Sequence, residues 1–379
     1  MRDTDLFQLA LGITSPWFVA SSDLDTAKKR LDIGVDFKAG SRFTCPDCNA
    51  ASCPVHDTAE KTWRHLDFFQ HQAFLTARVP RITCTKCGVK QVGVPWARKG
   101  SGFSLLFEAL AMTLVAHMPV AAAARLVGEH DTRLWRVVFH YVGEAVARMD
   151  LSALRRVVFV ADGRDADVVS QFADHVDAHN SDAARIKQVC IDMSAAFIKG
   201  VTENLTEAEI TFDKFHVMKM LGDAVDKTRR AESKARPELK GSRYVWLKNE
   251  QNLSAGGKET LAALSTLHLK TARAYQLRCA FQEVYAQPTL GWAELMLDRW
   301  DSWAIRSRIE AIKAVAKTIR HHRDGILAWF DSRIANGLIE GINSLVQAAK
   351  AKARGYRNRD TLKAMTYLIA GKLDLRLPT

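Results

Sequence analysis

The sequence predicts an α/β protein, and three observations predict it. Strand-like runs at Arg156 to Val160, Gln188 to Asp192 and Glu209 to Asp213 alternate with amphipathic segments, the signature of a parallel sheet. Two C-x-x-C pairs stand upstream, in a stretch rich in Cys, His, Pro and aromatic residues. Beyond Lys214 nearly everything reads as helix, broken near Pro237, Gly256-Gly257 and Pro288. A chain of 379 residues has room for roughly two to four domains. Its 47% apolar and 25% charged residues exclude a disordered, collagen-like or low-complexity protein.

Charge narrows the partners. Lys and Arg number 54 against 42 Asp and Glu, a net charge of +12 that favours a polyanion, either nucleic acid or an anionic membrane surface. The membrane is the poorer choice: the longest uncharged apolar run, Ala109 to Ala124, is short for a span and contains His117 and Pro119. No membrane partner is expected. The N-terminal MRDTDLFQLALG lacks a basic segment followed by an apolar one, so a reducing cytoplasm is the expected compartment. Seven cysteines, four of them in C-x-x-C pairs, then favour metal ligation over disulfides.

Residues 1–40 mix short apolar runs with charge and are expected to form short strands and turns. Cys45-Pro-Asp-Cys48 and Cys84-Thr-Lys-Cys87 follow as two knuckles, their inner cysteines 36 positions apart. Each knuckle lets two thiolates converge on one ion, so Cys45, Cys48, Cys84 and Cys87 are the candidate ligands of a structural Zn²⁺. Strand-like VPRITC (79–84) leads into the second knuckle and Gly88 relieves the turn after it. Cys53 and His56 form a further C-x-x-H pair, which leaves open a Cys/His variant or a second partial site; a set of free thiols is the plainer alternative.

Helical periodicity begins at Phe103 and runs to about Ala147. Within it, Val120 to Phe139 fits a helix-turn-helix frame: Ala124 is small where two helices would cross, Gly128 sits at the turn, and Leu134 and Val137 face inward. Asp131 is the expected N-cap of the second helix. Thr132, Arg133, Trp135 and Arg136 would then lie on or near its exposed face, where a recognition helix meets the major groove. A plain packing hairpin shows the same pattern, but the knuckles upstream and the positive charge favour DNA. Residues 1–150 are expected to bind duplex DNA alone.

Asp192 and Asp213 each end a strand-like run, the edge of a parallel sheet where ligands are bound. For Asp213 the simpler reading is a helix N-cap. Glu340 lies in a helical stretch with Asn336 and Asn343 about one turn to either side. Carboxylates converging from a strand and a helix suit divalent cations bound for phosphodiester chemistry.

The runs VCIDMSAAFIKGV (189–201), ITFDKFHVMK (210–219), LKGSRYVWLKN (239–249) and GILAWFDSRIANGLIEGINSLVQAAKAKARGY (325–356) closely resemble the ISL3 family of insertion-sequence transposases. The paired knuckles and VAAAARLVGEHDTRLW (120–135) resemble that family's zinc-binding and helix-turn-helix regions. The resemblance extends along the whole chain. It implies an acidic-triad (DDE), RNase H-like catalytic core interrupted by a helical insertion, with Mg²⁺ or Mn²⁺ as catalytic cofactor. It also implies double-stranded DNA as partner, namely the element's terminal inverted repeats and a target, bound by a homo-oligomer associated with the bacterial nucleoid. The family's second Asp falls on Asp192 and its Glu on Glu340, both as magnesium ligands. The first Asp has no match. This sequence passes from MDLSALRR (149–156) straight into VFVADGRD (158–165), where the family has a hairpin carrying that residue. The core is therefore expected to be incomplete, lacking its first hairpin, with Asp162, Asp165 and Asp167 the carboxylates nearby. Loss of one of three ligands should cripple two-metal chemistry. A DNA-binding remnant that competes with an intact enzyme thus stands beside an active transposase as a reading.

The expected organisation is a zinc-binding domain over 1–100, a helix-turn-helix domain over 101–150 and the first part of the core over 151–214. The helical insertion follows over 215–324, and the rest of the core, with the Glu340 helix and a basic tail, over 325–379. Lys227 to Arg243, Arg306 to Arg323 and Lys350 to Arg359 are enriched in cations. Each is readable as a solvated face, but Lys350, Lys352 and Arg354 are expected to contact phosphates. Trp246, Trp292, Trp300 and Trp303 are expected in the core of the insertion. A zinc-ribbon RNA-binding protein is the remaining alternative, and no stacking motif supports it.

Overall fold

The computed structural model describes residues 2–153, 159, 161, 163, 165–334, 337–356 and 358–378. It falls into two units, Met1–Ala147 with Val346–Thr379, and Arg148–Leu345.

The first unit opens with helix α1 (Asp3–Ala10), which corrects the reading of residues 1–40 as strands and turns alone. Asp3 and Asp5 sit in its first turn, where the helix dipole favours carboxylates. Strands β1 (Trp17–Asp25), β2 (Arg30–Phe37), β3 (Val55–Arg64), β4 (Gln72–Cys84) and β5 (Gly88–Gln91) then form one sheet in the order β1-β2-β4-β3, with β5 on β4. β2 and β4 run parallel; the other pairs are antiparallel. Leu31, Ile33 and Val35 on β2 and Ala73, Leu75, Ala77 and Val79 on β4 are buried, the period-two pattern of a sheet with one face on a core. Helices α2 (Leu105–His117), α3 (Val120–Leu126) and α4 (Asp131–Ala147) build a second core around Phe107, Ala123, Leu134 and Val138.

In the second unit, β6 (Gln188–Ile191) and β7 (Glu209–Phe212) pair in parallel, with α5 (Asp167–Asp177) and α6 (Ala195–Asn204) beside them. The predicted alternation therefore holds over these two strands. The strand expected over Arg156 to Val160 lies outside the described residues except for Phe159, whose ring sits 5.7 Å from that of Phe172. Asp162 and Asn336 lie outside them too.

Helices α7 (Lys214–Glu232), α8 (Arg243–Leu247), α9 (Ala255–Ser265), α10 (Lys270–Tyr285), α11 (Leu290–Arg306), α12 (Glu310–His321), α13 (Arg323–Leu327) and α14 (Trp329–Ser332) share one core. Trp246 and Trp300 are inside it, but Trp292 and Trp303 are 59% and 41% exposed, which corrects their assignment to the core. The buried stripe of α11 is Ala293, Leu297, Trp300 and Ala304, and at 100° per residue it leaves the other two tryptophans about a quarter-turn away.

Helices α15 (Gly337–Lys352) and α16 (Arg359–Ala370) close the described chain. Ala364 and Met365 of α16 are buried in the core of α2, α3 and α4. None of the described helices is long and apolar enough to cross a membrane.

Candidate metal centre and nucleic-acid interface

β4 ends at Cys84 and β5 begins at Gly88, so the second knuckle is the turn of a hairpin. Gly88 has φ +73°, a conformation that costs glycine nothing. The first knuckle lies between β2 and β3, closed by the Cys45 N–H donating to the Ala50 carbonyl at 2.8 Å. The sulfurs of Cys45, Cys48, Cys84 and Cys87 all lie within 4.8 Å of one another, and those of Cys48 and Cys84 are 3.5 Å apart. A tetrahedral site with Zn–S bonds of about 2.3 Å has sulfurs about 3.8 Å apart, so this set fits a structural zinc with little adjustment. The backbone N–H groups of Cys87 and Lys86 point at the Cys84 sulfur and bring its pKa down to about 6, favouring the thiolate that a metal needs. Cys53 and His56 are not in the group: the Cys53 thiol donates to the Ala50 carbonyl at 3.5 Å, and His56 is exposed.

The helix-turn-helix takes its shape from small residues at the crossing, Ala123 and Ala124, and from Gly128 at φ +67° in the turn. Asp131 is already inside α4 rather than capping it. Thr132 and Arg136 are exposed on α4. The other two candidates are occupied. Arg133 bonds Glu129 at 2.5 Å and the Gly102 carbonyl at 3.3 Å, with its guanidinium 4.2 Å over the Phe103 ring. Trp135 packs on Phe139 and edge-on to Tyr356, at 5.7 and 6.3 Å. Glu129 also faces Arg64, 1% exposed, at 3.8 Å; that guanidinium donates to the Ala73 carbonyl at 3.2 Å. Lys350, Lys352 and Arg354 are exposed in the same unit, where the Lys352 ammonium donates to the His117 carbonyl at 3.1 Å.

In the second unit the register of β6 on β7 sets Asp192 beside Asp213, whose N–H donates to the Ile191 carbonyl at 3.0 Å. Asp213 is 3% exposed and caps α7, accepting from the Phe215 N–H at 3.2 Å. Asp192 accepts from the Ser194 N–H at 3.0 Å through Oδ1. Its Oδ2 lies 3.7 Å from His216 Nε2, while His216 Nδ1 lies 3.9 Å from Asp213 Oδ2. One imidazole on the first turn of α7 thus faces both carboxylates. Sequence reasoning gives His216 no role and Asp213 only that of a cap; the D-x-x-H spacing across a strand end is the signal that would have joined them. Burial and the Asp213 charge push the Cys190 thiol up to about 12. Glu340 is exposed in the first turn of α15. Among the described residues the four cysteines are the only group of three or more potential metal ligands, so Asp192 and Glu340 are not joined in one.

The basic runs are less open than their composition indicates. Asp226 pairs with Arg229, Arg230 and Arg243 at 2.8, 3.3 and 3.7 Å. Asp301 and Asp298 pair with Arg320 and Arg323, each at 2.6 Å.

Three family models match the chain. The zinc-finger of transposase IS204/IS1001/IS1096/IS1165 matches residues 41–87, the helix-turn-helix domain of transposase family ISL3 matches 93–142, and a transposase domain of that family matches 137–366. The transposase for insertion sequence element IS1557 of Mycobacterium tuberculosis is 29% identical over 97% of this chain and 96% of its own length. The transposase for insertion sequence element IS1001 of Bordetella parapertussis is 24% identical over 83% and 86%. The IS1557 alignment spans 435 positions; 97% of 379 residues is about 368, so about 67 positions face gaps in this chain.

Proposed function

Because the chain belongs to the ISL3 family of insertion-sequence transposases, we propose that its two units divide the work of transposition. Met1–Ala147 with Val346–Thr379 holds the terminal inverted repeat, and Arg148–Leu345 carries the carboxylates that act on the strand. The observation that carries this reading is the pairing of parallel strand ends that puts Asp192, Asp213 and His216 together. The zinc ribbon and the α2–α4 helices then serve as the DNA-binding part, with α16 and the basic residues before it belonging there rather than to the catalytic core.

Carboxylate oxygens are the donors a hard divalent cation takes. Asp192 and Glu340 would hold it, with Asp213 the carboxylate placed to stand in for the missing first Asp. A cation bound there would supply activation of water or a 3′-hydroxyl and stabilisation of the leaving oxygen. His216 lies between the two carboxylates, 3.7 Å from Asp192 and 3.9 Å from Asp213, where it would orient both for that task. In the first unit Arg136 and Thr132 read the groove, while Arg133 and Trp135 support α4 from beneath. Lys350, Lys352 and Arg354 neutralise phosphates. Two identical ends call for two copies, so the protein acts as a homo-oligomer, on nucleoid DNA in the bacterial cytoplasm.

The test is binding and cleavage of end-sequence DNA with Mg²⁺ or Mn²⁺. Wild type is expected to bind and to cleave slowly, with cleavage lost in Asp192→Ala and Glu340→Ala. Arg136→Ala should relax sequence discrimination by about 1–3 kcal/mol. Lys350→Ala with Lys352→Ala should weaken all sequences alike and flatten the salt dependence. Cleavage unaffected by Asp192→Ala would refute the catalytic assignment. Binding with no cleavage would instead favour the competitor reading, which the roughly 67 gap-facing positions support.

A further inference from the structure

We propose that a hollow at the start of α7 takes one unpaired nucleotide of the DNA strand on which the neighbouring carboxylates act. This rests on the reading of the second unit as the cutting unit. The hollow has a volume of about 410 Å³, within the range of small-ligand sites, and is lined by Lys214, Phe215, Asn249, Arg278, Gln282 and Tyr285 among others.

Its place is the first argument. Lys214 and Phe215 directly follow Asp213, and the next residue, His216, faces both carboxylates. Tyr285 is the wall between hollow and strand end. It lines the hollow, and its hydroxyl is buried with no hydrogen-bond partner, near enough to Asp213 and Cys190 for their charges to raise its pKa along with burial. A strand passing the carboxylates therefore has its next sugar and base at the mouth of the hollow.

Its chemistry is the second. The Phe215 ring is 49% exposed, an apolar face left in water beside a charged site, and a base stacked on it would cover it. Lys214 lies 4.9 Å over the Trp329 ring, and Arg278 donates to Asn249 Oδ1 at 2.9 Å. That bond leaves the Asn249 amide N–H₂, with the Gln282 amide, to reach a base edge. The two cations outweigh the single carboxylate on the lining, Glu283, and suit a phosphate. A face, an edge and an anion are the three things a nucleotide presents. A paired base cannot turn its face to a side wall, so the occupant is unpaired.

The test uses the full chain and a duplex with a single-stranded tail carrying the fluorescent base aminopurine at the junction. Wild type should quench the fluorescence. Phe215→Ala and Arg278→Gln should weaken the quenching interaction about tenfold, whereas Phe215→Trp, which keeps a ring, should retain it. Binding of the fully paired duplex, followed by anisotropy, should be the same in all four proteins, because the first unit supplies it. Equal quenching by wild type, Phe215→Ala and Arg278→Gln would overturn the proposal. So would equally tight binding of free aminopurine deoxynucleoside monophosphate, which would mean a site for loose nucleotides rather than a strand. Failure of wild type to bind the paired duplex would be seen separately in the anisotropy and would overturn the DNA-binding reading on which the proposal stands.

Discussion

His65 shows how a single side chain ties the stability of the first unit to pH. Its Nδ1 lies 2.7 Å from the Ser104 hydroxyl, the same hydroxyl that accepts the Phe107 N–H and caps α2. Burial and the neighbouring Arg64 guanidinium bring its pKa down to about 4. The folded pKa is below the unfolded value of about 6.5, so protons bind the unfolded chain first. This contribution is complete above pH 6.5 and is lost as pH falls towards 4, by about 3 kcal/mol. Urea unfolding of wild type and His65→Gln across that window checks it: the variant should lack the steepest part of the acid dependence, and parallel curves would refute the assignment. None of this is legible in sequence, where His65 is one more residue of a Cys- and His-rich stretch. The same limit applies to Arg133. Its spacing on α4 is that of a recognition residue, yet Glu129, one turn before it, and Phe103, far earlier in the chain, occupy its guanidinium.

At the scale of elements, legibility follows sequence distance. The C-x-x-C knuckles, the small residues of the helix crossing and the glycine of its turn act within a few residues of one another, and each could be read directly. β6 and β7 were readable as strands from their β-branched runs, but not the register that sets Asp213 against Asp192. Helix α16 was readable as a helix and not as a neighbour of α4, because its partners lie more than 200 positions earlier in the chain. Met365, 4% exposed in that shared core, gives the prediction. Met365→Ala should cost about 2–5 kcal/mol of first-unit stability. It should also weaken DNA binding when assayed near the unfolding midpoint, although the residue touches no DNA. Normal stability in Met365→Ala would show that α16 packs there only loosely.

For the whole molecule, the two units have separate cores, so their unfolding should be separable. A chelator that strips the Cys₄ site should lower the stability of the first unit and abolish duplex binding while leaving the transition of the second where it was. Calorimetry with and without chelator decides it, and a single transition moving as one would refute the separation. The order of synthesis gives the joining of α4 to α16 a temporal meaning. A ribosome makes the sheet, the knuckles and α2–α4 first, then all of Arg148–Leu345, and only afterwards the segment that completes the helical core. A nascent chain therefore carries α4 long before it carries the layer that packs on it. Chains cut short by a frameshift or premature stop would lack the α16 layer of that core, so on the division of labour proposed above they should hold DNA more weakly than full-length chains, which also contain Asp192 and Glu340.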